Sequence, residues 1–257
     1  MFGYSEKNNR LKLKKNHSMT QKKQVTRRLQ QPHKSIPQNS VLFRERKARL
    51  LKLNTKLKKL FPKAEIALTW NTHWELLVAV ELSAQCTDKK VNEVTEVLFK
   101  KYPTLDAYVN AKQKDFEQDI KPTGFYKNKA KNVLAAAKRV TEVYGGQIPK
   151  TMEEILTIPG VARKTANVVL GNAHGVVDGI AVDTHVRRFA LRYNLTDSKD
   201  PVKIEQDLML LLPKKEWFAF TYRVIEYGRQ IAPARVYDTS KDPLIPIYPP
   251  AGQMFRV

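Results

Sequence analysis

The sequence has little cysteine, no long apolar run and few acidic residues relative to its basic ones. Cys86 is the one cysteine among 257 residues, which excludes an internal disulfide and any site built from several thiolates of this chain. No stretch of about 18 apolar residues occurs, so no transmembrane helix is predicted. No apolar segment of a secretory signal follows the basic start of the sequence. We therefore expect an intracellular protein that does not bind membranes.

Basic residues dominate the charge of the chain. It holds 46 Lys and Arg against 25 Asp and Glu, a net charge of +21, and such an excess favours a polyanionic partner. Residues 1–40 contain ten Lys or Arg and a single acid, with few large apolar side chains, so we predict a disordered basic tail. Two roles fit this tail equally well: added electrostatic affinity for nucleic acid, or a dispensable solvated arm.

From residue 41 onward, apolar residues recur with helical spacing almost throughout. The longest such pattern covers residues 128–144 and is followed by Gly145, a typical helix C-cap. Asp178-Gly179 could form the turn of a β-hairpin, but the apolar runs beside it are too short to favour one. Residues 232–257 contain five prolines, which predicts an irregular segment. The pattern indicates an all-α protein.

The most informative segment is residues 156–170, Leu-Thr-Ile-Pro-Gly-Val-Ala-Arg-Lys-Thr-Ala-Asn-Val-Val-Leu. Pro159 and Gly160 predict a tight turn between two helices, because proline disfavours a helix interior and glycine tolerates positive φ. The N–H groups of residues 160–164 are then expected to point towards one spot. A phosphate placed there would gain hydrogen bonds and the favourable end of the helix dipole. An ordinary helix–turn–helix corner is the alternative interpretation.

Two residues near this turn carry groups suited to covalent chemistry. Lys164 lies in the first turn of the second helix, and Asp183 follows nineteen residues later at the predicted start of the next helix. An amine can attack carbon and a carboxylate can manage its proton. We expect the helix dipole and the neighbouring Arg163 to lower the pKa of Lys164. The alternatives are a solvated surface lysine and, for Asp183, an N-cap, which is compatible with catalysis.

Four segments together resemble the endonuclease III family of helix–hairpin–helix DNA glycosylases. They are the 156–170 turn with Ala-Val-Asp-Thr-His at 181–185, Leu-Ser-Ala-Gln-Cys-Thr-Asp at 82–88, Thr-Gly-Phe-Tyr-Lys-Asn-Lys-Ala at 123–130 and Glu-Tyr-Gly-Arg at 226–229. The resemblance runs from about residue 45 to 232. It implies a two-lobed, all-α helix–hairpin–helix glycosylase fold with its active site in the cleft between lobes. Domain 41–257 would then consist of lobe one, 66–176, and lobe two, 41–65 plus 177–257.

The resemblance also implies an activity. Lys164 would attack C1′ of a nucleotide flipped out of the duplex, and Asp183 would accept a proton and stabilise the developing sugar cation. The expected protein is a bifunctional DNA glycosylase and abasic-site β-lyase of base excision repair. Its expected substrates are oxidised bases, pyrimidines above all, in double-stranded DNA. We expect a monomer that acts where the DNA is, in the cytoplasm or nucleoid if the host is prokaryotic, and no metal or organic cofactor is implied.

The resemblance assigns DNA contacts to several further residues. Gln85 would fill the gap left by the flipped base, and Phe125 would act as a wedge between bases. A helix-end amide and a core aromatic are the respective alternatives. His185 is either a DNA contact and general base or a structural histidine. The expected DNA-binding set is Gln85, Phe125, Pro159, Gly160, Val161, Ala162, Arg163 and His185.

The sequence departs from the family pattern in two places. Ala162 stands where the hairpin usually has a second glycine, so the backbone must either adopt an ordinary conformation there or bind phosphate a little differently. Many members end in four cysteines that hold a [4Fe–4S] cluster, whereas Ala232, Thr239 and Asp242 stand about where cysteines are expected. Because such clusters need thiolates, we predict no cluster and expect apolar packing of the C-terminal segment in its place. Asp88 is predicted to cap the next helix.

Three other functions remain compatible with these observations. The enzyme could act on another lesion class, such as oxidised purines or alkylated bases, because pocket residues set that choice. The chain could be a non-catalytic DNA-binding protein that uses the hairpin and basic surface alone. It could also bind RNA through its basic tail.

Overall fold

A computed structural model describes residues 37–235 and 238–253 as helices joined by turns. No strand occurs in this described part, which confirms the all-α prediction. Of the predicted tail, residues 1–40, only residues 37–40 belong to the described part. The α-helices are α1 (Val41–Leu60), α2 (His73–Leu82), α3 (Asp88–Lys101), α4 (Leu105–Val109), α5 (Gln113–Asp119), α6 (Tyr126–Tyr144), α7 (Met152–Ile155), α8 (Arg163–His174), α9 (Thr184–Arg192), α10 (Pro201–Leu211) and α11 (Trp217–Gln230).

Short 3₁₀ helices complete the described residues: Lys121–Thr123, Lys214–Glu216, Thr239–Lys241, Ile245–Ile247 and Pro249–Gln253. Of the described helices, none combines the length and apolar character that crossing a membrane requires.

Helix α2 is the centre of the main apolar core. Nearly all its residues are buried, as expected for a helix that is apolar on every side. It begins with a capping box, in which the Thr72 side chain accepts from the Glu75 N–H and the Glu75 carboxylate accepts from the Thr72 N–H. Helix α2 packs against α3, α6 and α8. The helix that follows the hairpin is therefore fixed against the most buried element.

A second group of helices packs around aromatic side chains. Helices α1, α9, α10 and α11 contact one another, and the rings of Phe189, Tyr193 and Tyr227 lie 4.7 to 6.5 Å apart. The buried Arg46 guanidinium donates two hydrogen bonds, of 3.0 and 2.6 Å, to the Asp197 carboxylate. The division into lobes 66–176 and 41–65 plus 177–257 remains our proposal.

The start of α3 differs from the prediction. Thr87, not Asp88, is the N-cap, and its side-chain oxygen accepts from the Lys90 N–H at 3.3 Å. Asp88 is the first helical residue, because the helix begins one residue after the threonine that can close the cap. Its carboxylate is thereby left to pair with Arg229.

The C-terminal segment packs through ordinary side chains. Leu244 is fully buried, and the buried Asp242 carboxylate accepts from the Tyr227 hydroxyl and from the Leu244 N–H. The Arg49 guanidinium lies 3.9 Å from the centre of the Tyr248 ring. These contacts attach the segment to α1 and α11.

This segment does not fit a [4Fe–4S] cluster. Such a cluster is held by cysteine thiolates, and residues 230–257 contain no cysteine. Ala232 and Asp242 are buried among protein atoms. In the described residues, no group of three or more His, Cys, Asp or Glu side chains is placed to hold a metal ion.

Candidate active site

The 156–170 segment forms a tight hairpin. The Val161 N–H donates to the Ile158 carbonyl at 3.2 Å, and Gly160 has φ +85°. Ala162 is the N-cap of α8 in an extended conformation, φ −99°, so alanine meets no strain there, as predicted. Alanine also offers no side-chain cap. The first N–H groups of α8 are consequently left for an external acceptor, and a phosphate suits them.

Lys164 and Asp183 line the same cavity. It has a volume of about 540 Å³. Its walls come from residues 65–68, the α2–α3 loop, the start of α8, the start of α9 and one side of α11. The lining side chains include Gln85, Cys86, Asp88, Thr165, His185, Thr221, Tyr222, Ile225 and Arg229. The structure thus brings together the two residues that the sequence predicts as nucleophile and carboxylate.

Asp183 is held rigidly by the helix that it caps. Its Oδ1 accepts from the Val186 N–H at 2.8 Å, which confirms the predicted N-cap. A capped carboxylate loses rotational freedom, so it is presented to the cavity in one orientation. Structural and chemical roles are compatible at this position.

The pKa of Lys164 is lowered, as predicted, although Arg163 is not a cause of the shift. Burial is the largest cause, and the Asp183 and Asp88 carboxylates partly oppose it. Arg163 makes no such contribution, because its guanidinium is held elsewhere: Nε donates to the Glu205 carboxylate at 2.7 Å. A buried amine is neutral more often than a solvated one, which a nucleophile requires.

His185 packs against the backbone of Gly228, which has no side chain. A Cβ built on Gly228 would lie 2.2 Å from the His185 Nδ1 atom, so the glycine of the 226–229 motif makes room for the imidazole. Burial lowers the pKa of His185, against the opposite effect of the Asp183 carboxylate. The ring is therefore held neutral beside the cavity, where it can donate or accept one hydrogen bond.

Sequence reasoning did not identify an ion pair that spans this cavity. The Arg229 guanidinium contacts the Asp88 carboxylate and lies 3.2 Å from the Glu226 carboxylate. Asp88 is the first residue of α3 and Arg229 lies in the last turn of α11, so the pair connects helices that are distant in sequence. The motifs at 82–88 and 226–229 contain these residues, but nothing in either motif indicates that they meet.

Gln85 and Phe125 both occupy strained, exposed positions. Their φ angles are +54° and +48°, values that non-glycine residues rarely adopt. Phe125 is 65% exposed, which excludes the core-aromatic alternative. Backbone strain and an exposed aromatic ring are typical of binding sites.

The two residues border a second, smaller cavity of about 220 Å³. Gly160 of the hairpin also lines this cavity. The hairpin, the Gln85 loop and the Phe125 loop therefore converge on one face. Pro159, Val161 and Ala162 belong to that hairpin and stay predicted DNA contacts.

Comparison with known proteins agrees with this geometry. Residues 78–214 match the model of the helix–hairpin–helix GPD superfamily of base excision DNA repair proteins. The chain is 49% identical to endonuclease III of Synechocystis over 179 residues, which are 70% of this chain and 82% of that protein. It is 44% identical to endonuclease III of Bacillus subtilis over 191 residues, 74% of this chain and 87% of the relative.

Solved structures give the same result. The chain superimposes on endonuclease III in a trapped covalent intermediate with DNA, an estranged-adenine complex, with a TM-score of 0.77. Sequence identity is 38%, and 82% of this chain and 99% of that one are covered. A thermostable thymine-DNA glycosylase matches with a TM-score of 0.67 at 19% identity, over 81% of this chain and 97% of its own, which shows the shared fold. The resemblance read from four motifs is confirmed.

Proposed function

The chain belongs to the endonuclease III family of base excision DNA repair proteins, and from this premise we propose how its own residues act. The protein is a bifunctional DNA glycosylase and abasic-site lyase for oxidised pyrimidines, with Lys164 as the nucleophile. One observation carries the assignment of residues: Lys164 and Asp183 line a single cavity beside an uncapped helix N-terminus. The partner is double-stranded DNA, and the proposed place of action is with the DNA of the cell.

The reaction begins with attack of the neutral Lys164 amine on C1′ of the flipped nucleotide. A nitrogen–carbon bond forms at C1′, and the bond from C1′ to the damaged base breaks with its electron pair leaving on the base. The Asp183 carboxylate stabilises the positive charge that develops on the sugar and takes the proton that the amine loses. The nitrogen lone pair then forms a second bond to C1′ as the bond from C1′ to the ring oxygen breaks. The ring oxygen keeps that electron pair and takes up the proton, which leaves an imine between Lys164 and C1′.

Strand cleavage follows from the same imine. The imine acidifies the hydrogens on C2′, so a base can remove one of them, and the electrons expel the phosphate on the 3′ side. Hydrolysis then releases Lys164 and the unsaturated sugar. The hairpin N–H groups are proposed to hold a phosphate of the DNA backbone, while Gln85 and Phe125 occupy the space from which the nucleotide is extruded.

Borohydride trapping tests the proposed nucleophile. Borohydride reduces the imine to a stable amine, so wild type and a duplex with one abasic site should give a covalent band. Lys164→Gln should give none while its duplex affinity stays close to wild type, since one of many cations is lost. DNA binding by wild type without any band would contradict the lyase assignment and favour base removal alone or simple DNA binding.

A lesion panel tests the substrate class. Duplexes that each carry one oxidised pyrimidine, one oxidised purine or one alkylated base should be nicked in that order of preference. Faster processing of the purine or alkylated substrate would replace the pyrimidine assignment and leave the mechanism unchanged.

A further inference from the structure

Glu81 is an unexplained acid in the most buried helix of the protein. It lies in the apolar run of α2 and is 8% exposed. Neither carboxyl oxygen has a hydrogen-bond partner among the described residues. Burial raises the pKa of Glu81 to about 8, because a charged carboxylate without partners is costly in an apolar environment. The group is therefore mostly uncharged at neutral pH.

The Glu81 carboxyl group lies directly beneath the hairpin. A Cβ built on Gly160 would be 2.7 Å from Glu81 Oε1 and 2.9 Å from the Asn132 Cβ atom. Gly160 thus has two reasons to be glycine: its positive φ, and the closeness of its backbone to Glu81 and Asn132. The position of the hairpin depends on what occupies this space.

Glu81 also lines the 220 Å³ cavity that Gln85 and Phe125 border. Under the proposed function, this face receives the DNA backbone and the gap left by the flipped nucleotide. A negative charge at Glu81 would lie under the N-terminus at which a phosphate is proposed to bind. Because the Glu81 carboxyl group is itself buried, solvent would screen that repulsion poorly.

Among the described residues that line this cavity, Lys129 of α6 is the one basic group. Its ammonium donates to the Leu82 and Thr123 carbonyls, each at 2.8 Å, and the pKa of Glu81 is raised by burial with no opposing effect of Lys129. The hairpin and the first turn of α8 contribute Gly160 and Thr165, which carry no charge. The remaining lining residues are uncharged as well: Val80, Ala84, Gln85, Phe125, Asn128 and Asn132. Lys164 lines the larger cavity instead.

We propose that Glu81 is a positioning residue for DNA binding, whose uncharged carboxyl group supports Gly160 and keeps negative charge away from the phosphate site of the hairpin. The proposal rests on the proposed function, because it assumes that this face binds DNA. It assigns Glu81 no contact with the reacting atoms. Ionisation of Glu81 would weaken binding without altering the chemical groups of the active site.

Glu81→Gln separates charge from shape. Glutamine has the size of the protonated acid and stays neutral at every pH, so it should bind DNA like wild type at pH 7. For a group with a pKa of about 8, the uncharged fraction falls roughly tenfold by pH 9. If only the uncharged form binds, wild-type affinity should fall by about this factor relative to Glu81→Gln.

The measurement is fluorescence anisotropy of the full chain on a duplex with one tetrahydrofuran abasic analogue, which the enzyme cannot cleave. Wild type, Glu81→Gln and Glu142→Gln are compared from pH 7 to 9. Glu142 is an exposed acid of α6, so its variant controls for the loss of one negative charge. A constant offset from wild type is expected for Glu142→Gln, whereas the difference for Glu81→Gln should grow with pH.

Thermal unfolding without DNA gives an independent readout. The folded-state pKa of Glu81 lies above the usual value of 4.5, so the wild type loses stability as pH rises from about 4.5 to 8. The melting temperature of Glu81→Gln should therefore rise relative to wild type across that range and then level off. If the melting temperatures of wild type and Glu81→Gln instead differ by the same amount at every pH, Glu81 does not titrate as inferred.

Two binding results would also overturn the proposal. In the first, wild type and Glu81→Gln lose affinity in parallel between pH 7 and 9. In the second, Glu81→Gln already binds weakly at pH 7 with an unchanged melting temperature, which would indicate that the carboxyl group itself contacts DNA. Failure of the proposed function is distinguishable, since a protein that binds this duplex but forms no borohydride adduct still permits the Glu81 comparison.

Discussion

At the level of single residues, the site depends on groups whose structural and chemical roles coincide. Asp183 caps α9 and faces the cavity, and burial of the Lys164 amine lowers its pKa. A lowered pKa leaves more of the amine neutral at a given pH, so we expect imine formation to persist at a lower pH than an ordinary lysine would allow. A variant at either position is therefore informative only when its effects on stability and on reaction rate can be told apart.

Asp183→Asn makes that separation. Asparagine caps a helix about as well as aspartate, so the free energy of unfolding should change by less than about 0.5 kcal/mol. Loss of the negative charge beside the developing sugar cation should slow base excision roughly a hundredfold or more. Single-turnover excision of an oxidised pyrimidine, together with urea unfolding, measures both quantities.

Asp183→Ala is the companion variant. It should lose the cap as well, at a cost of about 1 kcal/mol of stability, and be equally slow. An active Asp183→Asn enzyme would remove Asp183 from the mechanism and leave it as a cap alone.

Phe125→Ala tests the wedge. Because the ring is 65% exposed, stability should change by less than about 0.5 kcal/mol. Loss of stacking against bases should cost about 1 to 3 kcal/mol of binding, a five- to 150-fold weaker Kd for the tetrahydrofuran duplex.

Val97→Ala is the matched control for the wedge. Val97 is 66% exposed on α3 and lines neither the 540 Å³ nor the 220 Å³ cavity, so its removal should leave the Kd unchanged. Equal affinities of Phe125→Ala and wild type would show that the exposed ring does not enter the DNA.

At the level of helices and loops, local signals predicted the elements but not the contacts between them. The Pro159-Gly160 turn, the Gly145 cap and the Asp183 cap could be predicted because each depends on a few adjacent residues. The pairing of Asp88 with Arg229 joins residues 141 positions apart. Such pairs depend on how the helices pack, and that packing cannot be predicted from the pattern of a single sequence.

Glu81 is a residue whose role the sequence indicates only in part. An acid within the apolar run Trp-Glu-Leu-Leu-Val-Ala-Val-Glu-Leu of α2 is unusual, since buried acids normally require partners. The left-handed φ of Gln85 and Phe125 could not be predicted, because neither residue favours it and only the surrounding structure enforces it. The motif resemblance indicated their role without indicating their geometry.

The C-terminal segment is expected to stabilise the fold through the burial of Leu244. Leu244 is fully buried, so Leu244→Ala should lower the free energy of unfolding by about 2 to 5 kcal/mol. The trapping yield should stay at wild-type level below the melting transition, because Leu244 lies outside both cavities. Differential scanning calorimetry and borohydride trapping at low temperature measure the two effects.

Lys241→Ala and an iron chelator are the controls for this segment. Lys241 is exposed, so its loss should leave the melting temperature nearly unchanged. A chelator should not alter the melting temperature of the wild type, because residues 230–257 offer no thiolate to iron. A large fall in the melting temperature with chelator would contradict our inference that ordinary side chains hold this segment in place.

For the whole molecule, the distribution of positive charge determines the electrostatic part of the affinity for DNA. Nine of the 21 net positive charges lie in residues 1–40, and twelve lie in the rest. Residues 41–257 therefore retain a strong attraction for DNA by themselves, and the active-site groups all belong to them. Tail and catalytic domain should contribute separably, the tail to affinity and the domain to chemistry.

Removal of residues 1–36 tests this separation while keeping Ser40, whose side chain caps α1 through the Phe43 N–H at 3.1 Å. All ten basic residues of the tail are lost, and each one that contacts a phosphate contributes about 0.9 to the slope of log K against log salt. We expect weaker binding at low salt, a shallower slope and an unchanged single-turnover nicking rate at saturating protein. Replacing the ten Lys and Arg by Gln, at full length, should reproduce the truncation if charge alone matters. Parallel salt plots for wild type and truncation would show that the tail does not contact DNA, and the folded part would then account for all of the affinity.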